Sequence, residues 1–155
     1  MDNIAPSGVS FDDYVGKEYE PFSGQVDRDR LIAFAKAIGE TNPVYLDPEA
    51  AKAAGYRDVP APPTFSFTIT LDAGQSFNVL DDMGIEHASS VHGAQWFTYD
   101  APICAGDTIS GQQKITEIFT KKGGALVFIL IETPLKNQNG EPVATLGSTI
   151  VVRRG

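Results

Sequence analysis

From Ala125 to Ile131 the chain reads ALVFILI, an unbroken apolar run. So short a run, rich in β-branched and aromatic side chains, reads as a strand, and its lack of alternation implies apolar cover on both faces of a sheet. Any fold this chain adopts has to supply that cover. The segments SVHGAQWFTYD from Ser90, DTISGQQKITEIFT from Asp107 and PVATLGSTIVVRR from Pro142 share the Val, Ile, Thr and aromatic content. Turn signals separate them at AGD (105–107), KKGG (121–124) and NQNGEP (137–142). The pattern predicts an antiparallel meander of four strands, these three and the ALVFILI strand.

The first half is helical in character. EYEPFSGQV (18–26) reads as one strand, with Pro21 and Gly24 implying an edge or a bulge. Asp27 sits where an N-cap belongs, and Leu31, Phe34, Ala35 and Ile38 then recur at helical spacing until Gly39 stops the helix. Asp47 followed by Pro48 starts a second, alanine-rich helix that closes at Gly55. After Ala61-Pro62-Pro63, the segment TFSFTITLDAG suits a strand by composition and a buried helix by length. We assign it as helix, because no other long apolar segment is available to cover ALVFILI. The fold class is therefore α+β: a single hot-dog domain, a curved antiparallel sheet of about five strands wrapped around a central helix, with extra overhanging helices. Residues 1–13 are expected to form a flexible N-terminal arm and residues 14–155 the domain.

Composition narrows the function. Twelve Lys and Arg against twenty Asp and Glu give a net charge of −8, which argues against a nucleic-acid surface and against an anionic membrane. One cysteine, Cys104, and two histidines exclude a disulfide and a Cys/His metal set, so no metal and no cofactor is expected. The start has no signal-peptide character and no run reaches membrane-spanning length, so a cytoplasmic location is expected.

The stretch Gly39-Glu40-Thr41-Asn42-Pro43-Val44-Tyr45, with Asp47, Gly55-Tyr56, Ala61-Pro62-Pro63-Thr64-Phe65 and the later VHGAQWFTYDAPICAGDTI, resembles the MaoC-like hydratase and dehydratase family. The likeness is to its branch of N-terminal MaoC dehydratase domains and to HadA/HadC-like subunits, and covers roughly residues 14 to 153. Active members of that family resemble one another in a Gly-Asp-x-Asn-Pro-x-His segment. Adding water across a 2-enoyl thioester needs a base to deprotonate water and an acid to protonate the α-carbon, which a carboxylate and an imidazole around one water provide near neutral pH. A later His-Gly supplies a backbone N–H to the enolate-like oxygen. Carried over by position, the Asp falls on Glu40, the Asn on Asn42, the His on Tyr45 and the His-Gly on Pro62-Pro63. Glu40 displaces the carboxylate by a methylene, Tyr45 is a phenol with a pKa near ~10, and Pro63 has no N–H to donate.

The resemblance thus implies a subunit of an (R)-specific 2-enoyl thioester hydratase or 3-hydroxyacyl thioester dehydratase with a degenerate motif, paired with a catalytic MaoC-like partner in a heterodimer or heterotetramer. Its substrate would be an acyl-CoA or acyl-carrier-protein thioester. No residue is assigned as catalytic with certainty; Glu40, Asn42 and Tyr45 hold the motif positions. Ala61, Pro62, Pro63, Thr64, Phe65, Ala53 and Ala54 are expected to line the acyl channel. The alternatives are a self-sufficient homodimeric hydratase using Glu40, a non-catalytic acyl-thioester binding module, or a hot-dog thioesterase using Asp72. His92 is a candidate replacement base and more simply a packed strand residue, and His87 reads as solvated. Lys121, Lys122, Arg153 and Arg154 are the basic clusters that would hold coenzyme A phosphates or face an acidic carrier.

Overall fold

The protein is described by a computed structural model covering residues 3–154. Its sheet has six strands: β1 (Phe22–Gln25), β2 (Ser90–Tyr99), β3 (Thr108–Gly111), β4 (Lys114–Lys121), β5 (Leu126–Lys136) and β6 (Pro142–Arg153). The order is β1-β3-β5-β6-β2, with β4 also on β5, and all pairs are antiparallel. The chain from β4 to β6 is the expected meander, but β2 does not adjoin β3. It pairs instead with the far side of β6, Phe97 opposite Leu146 and Tyr99 opposite Ala144, so the connection to β3 crosses the sheet. DTISGQQKITEIFT is split into β3 and β4 at Gln112-Gln113. There the backbone turns to meet the segment before β1: the Tyr19 N–H donates to the Gln113 carbonyl, and the Gln112 amide donates to the Tyr19 carbonyl.

Among the described residues four α-helices accompany the sheet, besides short 3-10 turns: α1 (Arg28–Ala37), α2 (Pro48–Ala53), α3 (Phe65–Asp72) and α4 (Asn78–Met83). The side chain of Asp27 accepts from the Arg30 N–H at 2.9 Å, and that of Asp47 from the Glu49 N–H at 3.0 Å, so both predicted N-caps are made. The ambiguous segment after Pro63 is helical. Its Phe65 and Ile69 pack with Phe22, Ile109, Leu135, Val143 and Leu146. α4 was not expected from the sequence; its Val79, Leu80 and Met83 meet Ile115, Val127, Ile129, Ile131 and Val152. With six residues it is too short to display a helical period, and its clearest signal is Gly84, which closes it at a left-handed φ of 68°.

ALVFILI is covered differently from the expectation. Val127, Ile129 and Ile131 are buried under the helices, whereas Leu126, Phe128 and Leu130 on the opposite face are only half-buried. On that outer face Phe128 stacks on its cross-strand neighbour Phe119, with the Lys121 ammonium 5.0 Å from the Phe128 ring. The N-terminal segment from Ile4 onward is bonded to the domain. Ile4 and Ser10 form an antiparallel bridge, the Ser7 N–H donates to the Met83 carbonyl, and Phe11 is 1% exposed. Burying a Phe side chain is worth roughly 1.5–3 kcal/mol, enough to hold this segment down. Met1 and Asp2 lie outside the described residues. No helix among the described residues is long and apolar enough to cross a membrane.

Two side chains fix the periphery. Asp107, fully buried, accepts from both terminal nitrogens of Arg57 at 2.7 and 2.5 Å, from the Cys104 N–H at 2.9 Å and from the Gln138 amide at 3.1 Å. This cluster ties the loop after α2 to the turn before β3. At the other edge, the indole of Trp96 on β2 lies flat on Gly147 of β6, where an added Cβ would come within 1.7 Å of the ring.

Burial alone would raise the Asp107 carboxyl, but the Arg57, Cys104 and Gln138 donors outweigh it and hold the group below its ordinary value. With the folded value below the unfolded one, this stabilisation is complete above the ordinary carboxylate range and is lost as pH falls through the folded value. Acid unfolding of the wild type should therefore steepen below that range, and Asp107→Asn should remove this component. Arg57→Ala strands a buried carboxylate and should cost about 3 kcal/mol or more, whereas Asp107→Asn releases a half-exposed guanidinium to water and should cost less. Chemical denaturation of the two variants checks the order. Gly147→Ala should lift Trp96 off the sheet and red-shift its emission; an unchanged spectrum would contradict this packing.

Candidate functional site

Between α1 and α2 the chain makes a short overhang. Gly39 adopts a φ of +75°, after which the Glu40 carboxylate turns back on its own backbone, its Oε1 accepting from the N–H groups of Thr41 and Asn42, both at 2.8 Å. The Asn42 side chain accepts in turn from the Val44 N–H at 3.2 Å and caps the single turn Pro43–Tyr45. Two of the motif positions thus serve as backbone caps. Tyr45 alone of the three faces a cavity. Burial, followed by the neighbouring Tyr56 and Glu40, raises its phenol above the ordinary value, so it stays protonated at neutral pH.

That cavity, about 330 Å³, lies at the N-terminal end of α3. Tyr45, Tyr56, Pro60, Ser66, Tyr99 and Asp100 contribute to its wall together with Ala61, Pro62 and Pro63. The Ala61 N–H is bonded to the Ile103 carbonyl at 2.7 Å, and the Tyr99 hydroxyl donates to the Pro63 carbonyl at 2.9 Å, so both ends of the proline corner are held. Ser66 is 2% exposed, and its hydroxyl has no hydrogen-bond partner among the described residues. Donors are present, but no carboxylate faces an imidazole here; neither Glu40 nor a histidine lines the cavity. The arrangement can bind and orient a polar group. Its carboxylate, Asp100, has no imidazole in the wall to pair with.

A second cavity, about 300 Å³ and mainly apolar, opens along the other half of α3. Phe67, Thr70 and Leu71 of α3, Val79 of α4, Ile131 of β5 and Ile150 of β6 line it, and Gln113 enters from the break between β3 and β4. His92 lies at this cavity, its ring edge-on to Phe67 with centroids 5.8 Å apart. It is far from being a base for the first cavity, whose wall it does not share.

The other candidates fall elsewhere. Thr64 is exposed and Phe65 is buried in the core; Ala53 and Ala54 are exposed on α2, and none of these four lines either cavity. On α2 it is Ala51, not Ala53 or Ala54, that packs inward. Asp72 forms an ion pair with Arg30 on α1, both groups half-exposed, which leaves a thioesterase carboxylate without a pocket. His87 is more than solvated: it bonds Asp81 at 2.7 Å and stacks on Phe77 at 4.0 Å. Lys121 sits over Phe119 and Phe128, and Arg154 donates to the Ile4 carbonyl over the Phe11 ring. Ser66 was not singled out from the sequence, and Tyr56, Tyr99 and Asp100 figured there only within segments that carry the family resemblance, not as site residues. Ser66 alone carried a local signal, being three residues past Pro63 on the first turn of α3.

Residues 13–146 match the family described as FAS1-like, dehydratase domain region. Curated relatives include a UPF0336 protein of Streptomyces avermitilis, 40% identical over 141 residues that cover 90% of this chain and 93% of that one. Another, from Clavibacter michiganensis subsp. michiganensis, is 41% identical over 128 residues, 83% and 85% of the two chains. Among solved structures, the C-terminally truncated HadBC (3R-hydroxyacyl-ACP dehydratase) complex from Mycobacterium tuberculosis superposes with a TM-score of 0.75 at 24% identity, covering 89% of this chain and 96% of that one. The ChsH1-ChsH2 complex of the same organism gives 0.71 at 24%, covering 88% and 89%. At these identities the two structures show the shared hot-dog fold. With a profile match across most of its length and relatives at about two-fifths identity, the chain belongs to the FAS1-like dehydratase domain family, a MaoC-like branch of the hot-dog fold.

Proposed function

We propose that this protein is the non-catalytic subunit of an (R)-specific 2-enoyl thioester hydratase or 3-hydroxyacyl thioester dehydratase, working beside a MaoC-like partner that carries an intact Asp and His. The observation that carries this reading is the state of the overhang: Glu40 is spent on capping Thr41 and Asn42, and Tyr45 is a phenol pushed further from neutrality. General acid–base catalysis contributes roughly 10²- to 10⁴-fold, and the cavity at the head of α3 holds one carboxylate, Asp100, with no imidazole in its wall to pair with it.

What the subunit retains suits a supporting role. The apolar cavity along α3 accommodates an acyl tail, and at 300 Å³ it is about twice the roughly 150 Å³ that takes a benzene-sized ligand. β2 is the sheet's outer strand, ten residues long, with Val91, Trp96 and Tyr99 exposed at 47%, 41% and 55%. Leu71 and Phe77, at 45% and 48%, extend this apolar surface from the helical side. A long outer strand of this kind is a template for pairing with another chain, and two sheets joined edge to edge would cover these side chains. The HadBC and ChsH1-ChsH2 structures are described as complexes of two named components, which supports a partner of the same kind here.

The purified chain should hydrate crotonyl thioesters at least about 100-fold more slowly than its complex with a MaoC-like protein bearing the intact motif, read as loss of enoyl absorbance. Efficient turnover by the chain alone, abolished by Glu40→Ala, would overturn the assignment in favour of a self-sufficient hydratase. Val91→Arg should weaken partner capture by placing a charge on the pairing edge while leaving the fold intact, as measured by co-purification and circular dichroism.

A further inference from the structure

Among the polar side chains that line the mainly apolar cavity, Thr70, Gln75, Ser76, His92, Gln113 and Ser148, Gln113 has a buried oxygen that a plain hydrocarbon chain cannot satisfy. Gln113 is 8% exposed and lines the cavity beside Phe67, Leu71, Val79, Ile131 and Ile150. Its Nε2 donates to the Gln75 carbonyl at 3.2 Å, and this settles which way the amide faces, since the reverse orientation would set oxygen against oxygen. Oε1 is therefore the free end, buried and without a hydrogen-bond partner among the described residues. Its neighbour cannot swing over to help: the Gln75 amide is already engaged, accepting from Asn78 at 2.8 Å and donating to the Ala73 carbonyl at 3.2 Å.

We infer that Gln113 is a specificity residue and that this cavity takes an apolar tail carrying a hydroxyl, which donates to Oε1. The inference rests on the acyl-thioester reading above and adds the class of tail to it. An alkyl chain filling the cavity would leave this buried acceptor unpaired, with the desolvation penalty of that group still standing. A tail with an O–H at the matching depth removes the penalty and gains the bond. Sites built around a buried hydrogen-bonding group discriminate strongly against analogues that lack the complement, whereas a methylene more or less changes little. The hydroxyl in question lies on the tail, remote from the thioester, because Gln113 belongs to the apolar cavity and not to the hydroxyl-lined one at Tyr45 and Ser66.

The test uses the full chain and isothermal titration with N-acetylcysteamine thioesters from hexanoyl to dodecanoyl, each as the unsubstituted, the ω-hydroxy and the β-hydroxy compound. The wild type should prefer the ω-hydroxy compound by roughly tenfold at one chain length and less at the others. Gln113→Met, which keeps the length of the side chain and removes the acceptor, should abolish that preference while binding the unsubstituted chain as well as or better than wild type. The wild-type ratio stands without the variant should Gln113→Met fold poorly. Binding of all chains with no ω-hydroxy preference at any length, or a preference unchanged in Gln113→Met, would overturn the inference and leave the thioester reading intact. A stronger preference for the β-hydroxy compounds would overturn it by assigning Oε1 to the reacting end. Absence of binding by every probe would overturn both readings.

Discussion

The structure depends on how the inner face of β5 is covered. Val127, Ile129, Ile131, Thr133 and Leu135 all point the same way and are each at most 4% exposed. Strand residues advance about 3.3 Å each, so the eleven residues of β5 span about 36 Å, while an eight-residue helix is about 12 Å long. α3 therefore cannot shield the whole strand. It covers the half near Leu135, and α4 with the N-terminal segment around Phe11 covers the half near Val127. The apolar cavity is the seam between the two covers, bounded by residues of both helices. A single longer helix would have filled it.

The overhang is held by its own side chains. The N–H groups of Thr41 and Asn42 are satisfied by the Glu40 carboxylate, and that of Val44 by the Asn42 side chain. The proline corner is fixed against β2 by the Tyr99 hydroxyl on the Pro63 carbonyl. The loop thus keeps its shape through local bonds, with Tyr45, Tyr56 and Ser66 lining the cavity beside it.

Much of this was legible in the residues. The Asp27 and Asp47 caps, the glycine stops and the α3 assignment follow from local chemistry and from the need to cover a strand. The position of β2 was not legible, because an apolar strand states that it must pair but not with which neighbour, and the crossing that carries it beyond β6 is set by tertiary packing. α4 escaped for want of length. The residues at the motif positions were legible one by one, whereas the two cavities were not, since their walls join residues from segments as distant as Tyr45 and Val143, or Phe67 and Ile150. Gln113 looked like an ordinary polar residue in a strand, and only the break in that strand reveals why it points inward.

The clasp between Arg57 and Asp107 joins residues 50 positions apart. α2, at six residues, is too short to persist as an isolated helix. The chain after it is held by two ion pairs, Asp58 to Arg28 of α1 and Arg57 to Asp107 before β3. The second closes the longer loop, and that closure costs entropy before the buried bonds repay it. Tyr56 and Pro60 lie next to these residues and belong to the wall of the cavity at the head of α3, so the shape of that pocket is tied to a buried charge far along the chain.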